Sequence, residues 1–201
     1  MKRVLVSALL CGVVTLPVFA ALKQGDKAPD FSAKASLAGK EFAFSLKDAL
    51  KKGPVVVYFY PSAFTGGCNI EAHTFAENKE KFDALGASIV GVSRDSIARL
   101  NAFSADPQYC AGKIAVASDP DGAIAKSYNL TEMGIKPGSI KDSRGEMVDH
   151  ELTERTTFVV TPDYKIAATL STADDKINPA DHVAKSLAVV QQLAASKSTK
   201  Q

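Results

Sequence analysis

The longest uninterrupted apolar run inside the chain is residues 55–60, Val-Val-Val-Tyr-Phe-Tyr, set between Gly53-Pro54 and Pro61. Six β-branched or aromatic residues with no polar alternation predict a strand buried on both faces, as in a parallel sheet. Residues 68–85 follow a different rhythm. Ala72, Phe75, Ala76 and Phe82 fall near one face of a helix, while Glu71, Glu77, Lys79 and Lys81 lie mostly elsewhere, and Gly86 stands where a C-cap would. Further on, the pattern predicts a second buried strand over 87–92, a helix over about 96–105 and a short strand over 114–116. A turn over 118–122 leads to a short helix over 123–128. A strand over 155–160 then turns at Pro162-Asp163 into another over 165–170, and an amphipathic helix covers about 179–194. Upstream, residues 21–40 have no period and read as an extended lead-in, 41–45 alternate like an edge strand, and 46–51 allow one or two helical turns. Residues 131–153 form a polar, glycine-containing excursion that reads as a surface loop. Strands alternating with helices, closed by a hairpin, predict an α/β fold with a central mixed sheet flanked by helices and an N-terminal extension.

The other long apolar stretch lies at the extreme N-terminus. Lys2 and Arg3 precede thirteen uncharged residues, Pro17 interrupts them, and Val18-Phe19-Ala20 presents small residues where a signal peptidase reads. The pattern predicts a signal peptide over residues 1–20, cleaved after Ala20, and a single domain over 21–201. The apolar stretch is shorter than the ~20 residues of a membrane span, so no membrane attachment is expected after cleavage, and the protein is expected to be periplasmic or secreted. Cleavage also changes the charge. The formal net charge of +2 belongs to Lys2 and Arg3, and 22 basic residues then face 22 acidic ones. Such a balance offers no basic patch for nucleic acid. An apolar fraction of 46% excludes a disordered chain.

Of three cysteines, Cys11 leaves with the signal, and Cys68 and Cys110 remain. In an oxidising compartment an even pair means a structural disulfide or a redox couple, and counting does not choose between them. Position says more about Cys68. It follows a predicted buried strand and a Gly66-Gly67 turn, and it opens a helix. Ligands bind beyond the carboxyl ends of parallel strands, and free N–H groups at a helix N-terminus favour a thiolate. The bland alternative is a small cysteine packed under the sheet. His73 lies about 140° around the helix from Cys68 and does not converge with it. His150 and His182 show no evident partners. No metal and no cofactor are expected.

The string Pro61-Ser62-Ala63-Phe64-Thr65-Gly66-Gly67-Cys68, followed by Glu71 and far downstream by Arg155-Thr156-Thr157-Phe158-Val159, resembles the peroxiredoxins. These are thiol peroxidases on a thioredoxin-like fold, and the resemblance runs from about Gly25 to the terminal helix. It implies that Cys68 is the peroxidatic cysteine and that Thr65 hydrogen-bonds the peroxide. Arg155 would stabilise the thiolate and the developing charge, Pro61 would shield the site from water, and Glu71 would orient an arginine. Among peroxiredoxins, the Q type (the bacterioferritin comigratory proteins) resembles this chain in carrying a second cysteine at the next helix. That likeness implies an intramolecular Cys68–Cys110 disulfide. It also implies a thioredoxin-like reductant and a monomer or weak dimer. Two other functions compete: a thiol–disulfide oxidoreductase, against which stands the lack of a second cysteine near Cys68, and a non-enzymatic exported domain with a structural disulfide.

A magnitude bears on the expected chemistry. A thiol of pKa ~8.5 is about 3% thiolate at pH 7 and one of pKa ~6 about 90%, a gain of ~30-fold. Nucleophilicity falls with a Brønsted slope near ~0.45, which removes about 13-fold over the same interval. The net gain is only about twofold, so the larger contribution has to come from hydrogen bonds to the transition-state oxygens.

Overall fold

The computed structural model describes residues 20–198; the predicted signal peptide therefore lies, except for Ala20, outside the described residues. Seven strands form one mixed sheet: β1 (Ser32–Leu37), β2 (Lys40–Ser45), β3 (Val55–Phe59), β4 (Ser88–Ser93), β5 (Ala115–Ser118), β6 (Thr156–Val160) and β7 (Ile166–Ser171). Their spatial order is β2-β1-β5-β4-β3-β6-β7. The central trio β5, β4 and β3 is parallel, and the outer pairings are antiparallel. The helices are α1 (Leu46–Leu50), α2 (Gly66–Ala84), α3 (Ile97–Ala105), α4 (Ala123–Ser127), α5 (Thr172–Asp175) and α6 (Pro179–Ser198).

Strand β3 shows why its sequence is continuously apolar. Val56 and Tyr58, continued by Tyr60, point into one core with α2, α3 and α6. Val55, Val57 and Phe59 point into the other, with α1, α4 and Tyr128. Both faces are covered, so no position can be polar. The ring of Tyr58 lies over Gly91 of the neighbouring strand, where a Cβ would sit 2.5 Å from Tyr58 Cζ. A side chain at Gly91 would displace that ring.

Two expectations need correction. The lead-in is not merely extended, because residues 32–37 form β1, paired with both β2 and β5. Its buried residues, Ala35 and Ser36, are small, and Ser36 is held by Ser104 Oγ at 2.8 Å. The strand is made by its neighbours, and its own apolar content is too low to announce it. Nor do Gly66 and Gly67 form a turn ahead of the helix; the two glycines are the first residues of α2, with Thr65 as N-cap. The 131–153 excursion runs outside the named elements, as expected of a loop, yet Asp142, Val148, Leu152 and Thr153 within it are buried.

Candidate active site

The register of β3 against β6 explains how residues 87 positions apart meet. Phe59, the last residue of β3, pairs antiparallel with Thr156, the first of β6. Arg155 therefore sits level with the point where the chain leaves the sheet at Tyr60-Pro61 and turns into α2. Cys68 is the third helical residue, one of the positions whose N–H has no intrahelical acceptor. Thr65 does not cap those groups with its side chain. Its hydroxyl instead donates to the Ser62 carbonyl at 2.8 Å. The oxygen lone pairs stay available to accept from a ligand, and the first-turn N–H groups stay uncapped.

Arg155 Nη2 lies 3.2 Å from Cys68 Sγ, and Nη1 binds Glu71 Oε2. Glu71 is one turn beyond Cys68 on α2, so both acceptors face the same guanidinium. Cys68 and Glu71 are fully buried and the Arg155 side chain is 9% exposed. Burial works against the Arg155 charge, but Cys68 and Glu71 together outweigh it and hold the guanidinium protonated. Burial pushes the Glu71 carboxyl up to about 7, with Arg155 pulling the other way. A buried charge needs a partner, and here one cation serves two acceptors. Gly67 makes room for it: a Cβ there would lie 3.2 Å from both Arg155 Nη2 and Pro179 Cγ.

The structure brings Cys68, Glu71 and Arg155 into direct contact and sets Thr65 and the buried Pro61 on the loop that leads into α2. Cys110 is not on a helix. Asp106-Pro107 ends α3, and Cys110 follows in a turn, buried in the same apolar cluster as Cys68. Both thiols are free. Burial, with Asp106 adding to it, pushes the Cys110 thiol far up. His73 is an exposed residue of α2 that faces Glu77 at 3.3 Å.

Two histidines do have partners, contrary to expectation. His182, at the start of α6, is completely buried between Thr157 Oγ1 (3.0 Å from Nδ1) and Thr172 Oγ1 (2.9 Å from Nε2). Its Nδ1 is 3.9 Å from Glu71 Oε1. Burial and the nearby Arg155 hold this imidazole neutral, down to about 4. A signal existed: His182 falls on the same helical face as Val183, Ser186 and Val190, which are all buried. His150 reaches Asp95 Oδ1 at 2.9 Å. Asp95 in turn accepts from Ala63 N at 2.7 Å and Ser62 Oγ at 2.9 Å. Asp95 could have been suspected, because it stands just beyond the carboxyl end of a parallel strand. Among the described residues, no group of three or more His, Cys, Asp or Glu side chains could hold a metal ion.

A Mycobacterium tuberculosis protein named as a peroxiredoxin is 28% identical over 172 residues, 86% of this chain and 98% of its own. The crystal structure of peroxidoxin BcpB from the same organism has a TM-score of 0.69 at 27% identity, covering 85% of this chain and 97% of that one. A Xanthomonas campestris bacterioferritin comigratory protein, solved as trapped intermediate and ligand complexes bearing on its alkyl peroxide reduction, has a TM-score of 0.61 at 28% identity. That match covers 80% of this chain and 91% of the relative. Residues 24–169 match the AhpC/TSA family. With its thioredoxin-like fold and its buried Cys68–Arg155 pair, the chain belongs to the AhpC/TSA family, the peroxiredoxins, as a thiol-dependent peroxidase.

Proposed function

We propose that the protein reduces hydrogen peroxide and organic hydroperoxides through Cys68 and resolves the product with Cys110. The observation that carries the first half is the 3.2 Å contact of Arg155 Nη2 with Cys68 Sγ at the uncapped N-terminus of α2. The sulfur attacks the terminal peroxide oxygen, an S–O bond forms, the O–O bond breaks, and two electrons pass from sulfur to peroxide. The leaving alkoxide or hydroxide takes a proton and departs as alcohol or water, and Cys68 becomes a sulfenic acid. Arg155 and the free Cys68 N–H meet the charge that develops on the oxygens, and Thr65 accepts from the peroxide O–H. The trapped complexes of the Xanthomonas campestris relative support alkyl peroxides as substrates.

In the second half, the Cys110 sulfur attacks the sulfenic sulfur, a disulfide forms and water leaves. Membership of both cysteines in one buried cluster supports this pairing. They lie on different elements, so the first turn of α2 and the turn around Cys110 unwind to bring them together. Non-glycine residues with left-handed backbones occur in both segments, Phe64 at φ 64° four residues before Cys68 and Ala111 at φ 51° next to Cys110, and such conformations cost on the order of 1–2 kcal/mol each. That strain is released on unwinding. A thioredoxin-like dithiol then reduces the disulfide. With residues 1–20 read as a cleaved signal, this cycle runs outside the cytoplasm, and so does its reductant.

The test mixes the reduced mature protein with one equivalent of hydrogen peroxide and counts thiols, followed by peptide mass spectrometry. Loss of both thiols within seconds and an intramolecular Cys68–Cys110 peptide are expected. Unreacted thiols would overturn the peroxidase reading. An intermolecular linkage, or a free Cys110, would overturn only the resolving role.

A further inference from the structure

The 131–153 excursion is fastened to the loop that carries Thr65. Residues 141–147 fold back on themselves, with a bridge between Lys141 and Met147, and Asp142 Oδ1 accepts from Arg144 N at 2.8 Å and Glu146 N at 2.9 Å. This braced turn grips the loop at residues 62–65. Ser143 N donates to the Phe64 carbonyl at 2.8 Å, and the Arg144 guanidinium lies 3.4 Å from the Phe64 ring centre. Asp142 Oδ2 faces Arg99 Nη2 at 2.7 Å, and that nitrogen also donates to the Ala63 carbonyl at 2.9 Å. The second grip is His150. Its Nδ1 lies 2.8 Å from the Glu151 carbonyl and its Nε2 2.9 Å from Asp95 Oδ1. Both partners can only accept, so both ring nitrogens donate and His150 is an imidazolium. Opposed by its own burial but outweighed by Asp95, its pKa is raised accordingly.

Asp95 is completely buried and converts this charge into position. One oxygen accepts from Ala63 N and Ser93 Oγ, both at 2.7 Å; the other accepts from Ser62 Oγ at 2.9 Å and lies 2.9 Å from Arg99 Nε. Ser62 then offers its carbonyl to Thr65 Oγ1. An unbroken line runs from His150 through Asp95 and Ser62 to the Thr65 hydroxyl, and Phe64 is kept left-handed within it.

We infer that His150 is a positioning residue of the thiol site: by fixing Asp95 it fixes the loop at residues 62–65, and so the direction in which the Thr65 hydroxyl meets the peroxide. The inference rests on Thr65 as the partner of the peroxide. Misplacement of a group by about an ångström from a distant change can cost ~100-fold, and partial loosening of a line that Arg99 and Ser143 still hold is expected to cost about 10-fold.

The experiment measures two rates on pre-reduced protein: the second-order rate of Cys68 oxidation by hydrogen peroxide, and its alkylation by an uncharged haloacetamide, which needs the sulfur but no hydrogen bond from Thr65. His150→Leu is expected to slow the peroxide reaction about 10-fold and to leave alkylation within twofold of wild type. Ser62→Ala, a smaller change that cuts the same line one step nearer the site, is expected to do the same more weakly, and it decides the matter if His150→Leu does not fold. Peroxide rates unchanged in the folded variants would overturn the inference. So would equal slowing of both reactions, which would mean that His150 governs access to the sulfur or the integrity of the fold. Thr65→Val run alongside separates the two readings. If that variant keeps the wild-type peroxide rate, the role of Thr65 fails; if it is slow while His150→Leu and Ser62→Ala are not, only the positioning role of His150 fails.

Discussion

Cys68 and Cys110 lie in the same apolar cluster and are equally hidden, 1% and 0% exposed. Their electrostatic settings are opposite. Cys68 has a guanidinium 3.2 Å from its sulfur and the uncapped end of a nineteen-residue helix around it. Cys110 sits in a turn with burial and the Asp106 carboxylate both acting against its thiolate. The contrast teaches that equal burial can set one thiol beside a cation and the other beside a carboxylate, and only the first setting favours a thiolate. In the proposed cycle it also orders the reaction, with Cys68 meeting the peroxide first and Cys110 acting once the structure has opened around it.

The comparison can be broken most completely at Cys68. Cys68→Ser is expected to abolish peroxide turnover with the fold retained, as read by steady-state consumption alongside circular dichroism; a folded variant with more than a few per cent of activity would break it. Next comes the cation. Arg155→Met gives Cys68 the surroundings of Cys110 and is expected to slow single-turnover oxidation by ~100-fold or more, the usual cost of losing one charge-stabilising donor. Thr65→Val is expected to cost a similar factor without touching the Glu71–Arg155 pair.

The neighbours of Cys68 add a pH signature that Cys110 lacks. Folded Glu71 titrates at about 7 against 4.5 for an ordinary glutamate, so its burial penalty disappears, and stability rises, as pH falls from 7 to 4.5. Folded His182 titrates at about 4 against 6.5, so its contribution is full above 6.5 and is lost as pH falls toward 4. The two oppose each other over most of that window. Relative to wild type, Glu71→Gln should therefore lose stability as pH falls from 7 to 4.5, and His182→Gln should gain it as pH falls from 6.5 to 4. Urea midpoints at intervals across pH 4–7.5 check this, and parallel profiles for the two variants would contradict it. A smaller effect sharpens the division of labour between the thiols. Cys110→Ser should leave the first reaction with peroxide within twofold of wild type, while a sulfenic acid accumulates that dimedone traps. Smallest is Gly67→Ala. Its Cβ would press on Arg155 Nη2 and Pro179, each 3.2 Å away, and a few tenths of an ångström of yielding should slow peroxide reduction only a few-fold in stopped-flow traces.

Much of this was legible along the chain. Residues 55–60 announced β3 because both faces of that strand are covered, and the period of Phe75, Ala76 and Phe82 announced α2. The string from Pro61 to Cys68 and the distant Arg155 were both visible as pieces. Strand β1 was not, since Ala35 and Ser36 are buried by neighbours that their own local pattern does not reveal. His150 was invisible for a related reason: it lies in a polar loop, and its partner Asp95 is 55 residues away.

Elements whose stability comes from their own burial pattern were written locally: periodicity of 2 or 3.6, a cap, a turn. Long-range pairings were decided only in three dimensions. The antiparallel register that sets Arg155 beside the end of β3, the sharing of one guanidinium between Cys68 and Glu71, and the grip of His150 on Asp95 each depend on a contact between segments 55 to 105 residues apart in the chain. A sequence specifies such contacts only through the packing of every layer between them, so the residue types were readable beforehand and their meeting was not.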